Sequence, residues 1–302
     1  MFRIFVPTRG RIHQQTTRRA FALDYLGRPV TYVVPECEAD LWKKEDVKIL
    51  TVPNKFKFSD IRQFILEQPG RGHVVVDDDL RLAKRIKPGD WHAVNLQQMP
   101  IRKRISMLKP LFKDISRLLR KGWVHGGVSA REGNNRMLDS YTVCIREMRF
   151  HFYNAEVVRK LGYDFRRVVI KQDFDFTLWM LRRGIPNIVI YDYLQDQTGS
   201  NAIGGCSRYR TDNVLKIGAR KLASLHPEFV TVVEKKMKNA WHGKARLDVR
   251  IQWKKAYQEG VKYVENLRRQ NSSTLDDQDR VLLRLQSKLP LLSNSLDTRN
   301  QS

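Results

Sequence analysis

Short apolar runs separated by polar turns fill the first eighty residues. Phe2 to Val6, Val30 to Val34, Val47 to Val52 and Val74 to Val76 are rich in β-branched and aromatic residues. Runs this short and continuous read as strands buried on both faces. Between them, Gln15 to Leu26 reads as a helix stopped by Gly27, and Glu38 to Lys44 as a short helix. Ile61 to Gln68 reads as a helix that Ser59 and Asp60 can cap. Strands and helices alternating at this spacing predict a parallel sheet in an α/β domain.

The period then changes. From Ile101 to Lys121, apolar Ile105, Leu108, Leu111, Phe112, Ile115, Leu118 and Leu119 recur at helical spacing. Arg102, Lys103, Arg104, Lys109, Lys113, Arg117, Arg120 and Lys121 take the other face. Trp123 to Ser129 and Tyr141 to Ile145 read as strands around a polar loop, Glu132 to Arg136. Phe150 to Tyr153 is extended, and Ala155 to Leu161 is a short helix ended by Gly162. Gln172-Asp173-Phe174-Asp175 opens an apolar helix over Phe176 to Arg183, and Asn187 to Tyr191 is a further strand. Asn201 to Arg210 is a Gly- and Ser-rich loop. Beyond Asn271 the core pattern fades, leaving Leu282 to Leu292 as one short helix before a frayed end.

The strand Val74-Val75-Val76 runs straight into Asp77, Asp78 and Asp79. A buried parallel strand ending in acids places them at the carboxyl edge of the sheet, where open α/β folds bind ligands. Three adjacent like charges favour a cation beside them. Mg²⁺ suits such a place, because it is usually held by one or two carboxylates plus phosphate oxygens. The plainer alternative is a strand end whose solvated acids cap a turn. A second acidic pair, Asp173 and Asp175, opens a helix, where the dipole favours carboxylates for structural reasons alone. Its chemical reading is a general base, or an acid of a metal shell, facing the first cluster.

Charge narrows the partners. The 302 residues carry a net charge of +24 and 41% are hydrophobic, so a sizeable core is available and global disorder is excluded. Such a cationic excess points to a polyanion, most often nucleic acid, with anionic membrane as the weaker option. Residues 208–255 alone hold thirteen Lys or Arg against four acids, interleaved with aromatics. No apolar stretch is long enough to span a bilayer. The start, Met1 to Pro7, reads as a strand and is too short in its apolar part for a signal peptide. Cys37, Cys144 and Cys206 have neither metal nor disulfide spacing, so a reducing cytoplasm is expected.

Four segments together carry a family resemblance: Val-Pro-Thr-Arg-Gly-Arg (6–11), Val-Val-Asp-Asp-Asp (75–79), Lys-Gln-Asp-Phe-Asp (171–175) and Gly-Gly-Cys-Ser-Arg-Tyr-Arg (204–210). They resemble nucleotide-sugar-dependent glycosyltransferases of the A-type fold. Over residues 1 to 265 the chain is more closely similar to the phage TET-associated DNA glycosyltransferases and related enzymes that glycosylate hydroxymethylcytosine. The fold so implied is α/β and Rossmann-like, a mostly parallel central sheet flanked by helices, with a basic, mainly helical C-terminal extension. Residues 1–200 would be the nucleotide-sugar-binding and catalytic core. Residues 201–265 would complete the donor and DNA site, and 266–302 would be a polar, partly flexible tail.

The resemblance also implies roles. Asp77 and Asp79 match the Asp-x-Asp motif that holds Mn²⁺ or Mg²⁺ with the donor diphosphate, and Asp78 joins them on the donor. The middle Asp leaves open which two carboxylates hold metal. Pro7, Thr8, Arg9 and Arg11 match the strand-turn that cradles the nucleotide, and Asp173 or Asp175 the base of inverting members. The reaction implied moves a sugar from a UDP-sugar to 5-hydroxymethylcytosine in double-stranded phage DNA, shielding it from host nucleases, in the host cytoplasm and by a monomer.

Other residues carry two readings each. Gly204, Gly205 and Ser207 either let backbone amides approach a diphosphate or form an ordinary turn. Arg208 and Arg210 either pair with donor or DNA phosphates or are solvated. His226 and His242 are possible third metal ligands, though a lone His is more often structural. His125, Arg131 and Trp123 can line the acceptor pocket, with Trp123 the better core residue. Lys103 and Arg117 lie on a basic face suited to DNA phosphates. Two other functions fit the same acids: a transferase for surface polysaccharide docked on membrane, or a non-catalytic DNA-binding protein on a transferase fold. A nucleotidyltransferase would also use strand-end acids, with a nucleoside triphosphate.

Overall fold

A computed structural model describes residues 2–87, 89–134, 137–197, 211–235, 246–270 and 275–290. The first half runs β1 (Phe2–Pro7), α1 (Thr16–Ala20), β2 (Val30–Pro35), α2 (Ala39–Lys43), β3 (Ile49–Val52), α3 (Phe58–Glu67), β4 (Gly72–Val76), β5 (Leu80–Arg85), β6 (Ala93–Asn95) and α4 (Ile101–Arg120). Then come β7 (His125–Ala130), α5 (Arg131–Asn134), β8 (Tyr141–Val143), β9 (Phe150–Asn154), α6 (Ala155–Lys160), α7 (Gln172–Leu181) and β10 (Asn187–Gln197). The C-terminal part holds α8 (Asp212–Leu225), β11 (Val230–Lys235), β12 (Arg246–Ile251), α9 (Trp253–Arg269) and α10 (Asp277–Gln286).

One large sheet takes the order β3-β2-β1-β4-β9-β7-β10-β5-β6, with β8 also on β10. β3, β2, β1 and β4 are parallel, as are β7 and β10, while β9 is inserted antiparallel between β4 and β7. This is the α/β, Rossmann-like sheet flanked by helices that the hydrophobic pattern and the resemblance led to. Alternation along the strands sorts the core. Ile4, Val74, Val76, Phe150 and Phe152 meet α4 on one face. Phe5, Val33, Val75 and Tyr153 meet α3, α6 and α7 on the other.

Three differences from the sequence reading have physical causes. The helix expected over Gln15 to Leu26 stops at Ala20, and Ala22 takes a left-handed φ of 47°. Phe21, Ala22 and Leu23 are all buried, and three consecutive residues cannot share one helical face. β10 continues six residues beyond Tyr191 through a register shift between Ile190 and Leu194; it stays on β7 along one edge and exchanges β8 for β5 on the other. Its polar end, Gln195-Asp196-Gln197, hides the strand from a hydrophobicity reading. The C-terminal part holds an antiparallel hairpin, β11 with β12, beside its helices.

The expected tail is anchored along residues 275–290. Leu275 and Leu282 are buried, and Gln286 Nε2 donates to the carbonyls of Arg183 and Gly184 at 3.0 and 3.1 Å. Gly122 is required there, because with φ at +93° a Cβ would fall 2.3 Å from the Lys288 carbonyl oxygen. Among the described residues no helix is long and apolar enough to cross a membrane.

His73 in β4 is fully buried against the rings of Phe5 and Tyr153, and neither ring nitrogen meets a partner at hydrogen-bonding geometry. Burial, with Arg159 and Arg3 nearby, lowers its pKa from 6.5 to about 4. The unfolded chain therefore binds this proton more tightly than the folded one. Stability is full above 6.5 and falls as the pH drops towards 4. The expected loss over that window is about 3 kcal/mol. Urea unfolding of the protein and of His73→Leu at stepped pH checks this: the stability of the parent relative to His73→Leu falls as the pH is lowered towards 4, and an unchanged offset would remove His73 as the cause.

Candidate active site

The site forms where β1 and β4 end side by side. Parallel pairing sets Phe5 opposite Val75, so the turn after Pro7 lies beside the acids that follow Val76. Thr8 Oγ1 donates to Asp78 Oδ2 at 2.6 Å. Arg11 Nη1 donates to Asp78 Oδ1 at 2.6 Å and to Asp79 Oδ2 at 2.8 Å, with all three side chains nearly buried. Burial alone would lower the Arg11 pKa, but the Asp78 and Asp79 carboxylates raise it, so the guanidinium stays charged. Gln197 Nε2 at the end of β10 donates to Asp79 Oδ2 at 2.7 Å.

The backbone of the acid turn is clamped as well. Thr17 in α1 donates through Oγ1 to the Asp77 carbonyl at 2.5 Å and accepts there from Leu80 N at 2.9 Å. Its own N–H donates to the Asp78 carbonyl at 3.1 Å, and Asp77 N donates to the Arg149 carbonyl at 2.9 Å. Asp77 itself lacks a close counter-charge. Arg62 Nη2 of α3 is 3.8 Å from its Oδ1. Burial pushes the Asp77 carboxyl up to about 7, Arg62 opposes, and Asp79, Asp78 and Asp173 add to the rise.

Asp173 stands on the first turn of α7. Lys171, with φ at 65°, precedes the helix and pairs with Asp248 Oδ1 at 2.6 Å. A left-handed non-glycine residue costs about 1 kcal/mol or more and persists only where its surroundings hold it. Asp173 Oδ1 accepts from Phe174 N at 3.0 Å, and Oδ2 has no partner among the described residues. Asp175 differs. It is fully buried, with Oδ2 taking Tyr163 Oη at 2.8 Å, Oδ1 facing His226 Nε2 at 2.8 Å, and Arg167 at 3.1 Å. Two residues along the helix, Asp175 is turned into the core, while Asp173 stays partly exposed and its charge acts on Asp77.

Several expected site residues lie elsewhere. Arg9 does not face the acids; its guanidinium binds the carbonyls of Asn54 and Phe56 at 2.7 and 3.4 Å. His125 is fully buried on Glu147, and Trp123 is in the core, so neither meets an acceptor. His226 sits on Asp175, away from Asp77 and Asp79. Lys103 and Arg117 belong to α4, under the sheet face opposite α7, and Arg117 is paired with Asp114 and Tyr141. Arg131 is exposed at the end of β7 and pairs with Asp196, next to Gln197. Gly204, Gly205, Cys206, Ser207, Arg208, Arg210 and His242 lie outside the described residues.

Arg62, Thr17 and Gln197 escaped the sequence reading. Arg62 was legible: Phe58, Ile61, Arg62 and Ile65 share one helical stripe, so a charge sits on the apolar face. It is nearly buried, stacks 4.8 Å above the Phe58 ring, and its Nε has no partner.

The chemistry of the acids fits a divalent cation bound together with phosphate. Asp77 Oδ1 and Asp79 Oδ1 are both buried without a hydrogen-bond partner. Among the described residues, no group of three or more His, Cys, Asp or Glu could hold a metal alone. Phosphate oxygens would have to complete such a shell, the usual habit of Mg²⁺.

Acids at the carboxyl edge of a Rossmann-like sheet, with a partly exposed carboxylate on a neighbouring helix, make up the candidate site. The chain belongs to the TET-Associated Glycosyltransferase family, whose model matches residues 2–205, and is a glycosyltransferase. No curated protein matches the sequence. A mycobacterial protein of known crystal structure is similar at 9% identity over 83% of this chain and 84% of its own, with a TM-score of 0.43. At that level the likeness bears on neither fold nor function.

Proposed function

We propose that this glycosyltransferase moves a sugar from a UDP-sugar to the hydroxymethyl group of 5-hydroxymethylcytosine in double-stranded phage DNA, with Mn²⁺ or Mg²⁺. The observation that carries the reading is the buried Arg11–Asp78–Asp79 pair beside two orphaned oxygens, Asp77 Oδ1 and Asp79 Oδ1. Arg11 and Thr8 hold Asp78 and Asp79 in place, and Asp77 Oδ1 and Asp79 Oδ1 would hold the metal, which when bound would supply neutralising charge for a diphosphate leaving group. Arg62 adds a second, fixed positive charge beside Asp77. Asp173 takes the proton from the acceptor hydroxyl, which then attacks the anomeric carbon with inversion.

DNA as acceptor is supported by charge. Arg102, Lys103, Lys109, Lys113, Arg120 and Lys121 are exposed along α4, and the whole chain carries +24. Phosphate contacts of this kind give sequence-independent affinity that falls with salt. A hydroxymethyl group on C5 of cytosine lies in the major groove.

Mass spectrometry of nucleosides tests the reading. The protein is incubated with Mn²⁺, a panel of UDP-sugars, and duplex DNA containing hydroxymethylcytosine or cytosine. A sugar-sized gain is expected on hydroxymethylcytosine alone, and none in Asp79→Ala. Transfer to polysaccharide without DNA would replace this reading by the surface-glycan one. Tight, donor-indifferent DNA binding without any transfer would replace it by the binding protein.

A further inference from the structure

Past the acids, the carboxyl edge of the sheet carries arginines that the transfer step leaves unused. Arg149 stands just before β9. Its carbonyl accepts from Asp77 N at 2.9 Å, so its backbone is fastened to the acid turn. Its φ of 64° is left-handed, a strained conformation of the kind that gathers at functional sites. The guanidinium leans away from β1. Nη1 donates to Gln195 Oε1 of β10 at 3.5 Å and lies 3.6 Å from Glu132 Oε2 of α5. Gln195 and Gln197 are two residues apart on β10, so they share a face about 7 Å apart. Gln197 holds Asp79 and Gln195 meets Arg149, which sets the guanidinium about one such step from the acids.

Two more arginines continue this edge outward. Arg131 directly follows β7; its Nε is 3.3 Å from Asp196 Oδ2, and its Nη2 donates to Asn95 Oδ1 at 2.7 Å. Arg81, the second residue of β5, is exposed and lies opposite Asp196 across the β10–β5 ladder. In the strand order β9-β7-β10-β5 the three arginines cover three strand spacings, about 14 Å. The acids beside them hold them loosely. The Glu132 and Asp196 side chains are 62% and 33% exposed, and their pairs are 3.6 and 3.3 Å long. Pairs made with such exposed carboxylates contribute little, so a phosphate oxygen can replace either acid.

We propose that Arg149, with Arg131 and Arg81 outside it, grips the phosphate backbone of the acceptor DNA strand, Arg149 taking the phosphate nearest the base that receives the sugar. This rests on the proposed function. The donor lies over the turn after β1, on one side of the acids, which leaves the side of β9, β7 and β10 to the acceptor. Arginine suits the task, because its planar fork meets two phosphate oxygens through parallel hydrogen bonds. The Arg149 side chain is the most enclosed of the three, 13% exposed, so its fork is already set in direction. Contacts of this kind fix the register of the duplex without reading its sequence. They would place the target base at the acids, while the cations of α4 hold the rest of the duplex.

Arg149→Gly tests this. Glycine suits a φ of 64° and keeps the carbonyl that Asp77 N binds, so only the guanidinium is lost. Affinity for a duplex carrying hydroxymethylcytosine is read by fluorescence anisotropy over a range of salt. It is expected to fall about 10- to 100-fold, and the slope of log affinity against log salt to flatten by about 1. In turnover the loss should appear in KM for DNA rather than in kcat or in KM for the UDP-sugar. Arg149→Lys keeps the charge without the fork, so it should restore the salt slope and only part of the affinity. If a urea melt shows Arg149→Gly to be unfolded, Arg149→Gln carries the same expectations. Unchanged affinity and slope in the folded variant overturn the proposal. So does a rise confined to KM for the UDP-sugar, which would put the arginine on the donor. A parent protein that binds no DNA overturns both this and the proposed function. A parent that binds DNA but transfers no sugar to it sinks the proposed function alone, and a weaker Arg149→Gly would still uphold the phosphate contact.

Discussion

Asp173→Asn is expected to lower kcat by about 10²–10⁴-fold, the usual worth of a general base, while leaving the unfolding midpoint nearly unchanged. Asp173 is partly exposed at a helix start, with one oxygen on its neighbour's amide and the other free among the described residues. Among the described residues no core hydrogen bond or ion pair uses its carboxylate. Asp175→Asn is expected to do the reverse. Its carboxylate holds Tyr163, His226 and Arg167 in the core, and removing one member of such a buried set typically costs about 3–5 kcal/mol. The low end applies, because the Arg167 side chain is 29% exposed and partly screened. Single-turnover rates and urea melts on the two variants separate them. Equal loss of rate in both, with equal stability, would remove Asp173 from its role.

Arg11→Ala is the second large effect. Among the described residues it leaves Asp78 and Asp79 nearly buried with no cation at hydrogen-bonding distance, only the neutral donors Thr8 and Gln197. An uncompensated buried charge costs about 3–5 kcal/mol, and here two carboxylates lose one shared partner. The midpoint of urea unfolding should fall accordingly, and part of the loss should return when the pH is lowered enough to protonate the acids. Arg11→Lys is expected to recover only part, since one ammonium cannot match a guanidinium bridging two carboxylates. A stable Arg11→Ala protein would mean that the acids relax into solvent, and the site would then not be pre-formed.

Much of this was legible in the chain. Continuous β-branched runs announced β1, β2, β3 and β4, because a strand covered by helices on both faces has no polar side to alternate with. The acids after Val76 announced the site for the same reason: a strand that ends in three carboxylates must deliver them to the sheet edge. Thr8 and Arg11 were pointed to by the family resemblance of the turn after β1, and the parallel pairing of β1 with β4 is what sets that turn beside the acids.

Other features needed the folded molecule. Asp173 and Asp175 are two residues apart in sequence and chemically identical. Only the rotation of α7, fixed by Phe176, Trp179 and Met180 in the core, decides that Asp175 is buried and Asp173 is left partly exposed. His125 reads as an acceptor residue until β9 is seen to slot antiparallel between β4 and β7, and the ring is found buried on Glu147. Periodicity and strand ends are local properties, so the chain alone was enough for the α/β class, the acids that end β4 and the sheet edge those acids occupy. The tertiary structure decided which charges meet: Arg11 across two acids, Arg62 beside Asp77, Gln197 on Asp79, and Glu147 under His125. Those pairings join residues up to 118 positions apart, and only the strand order and register bring them together.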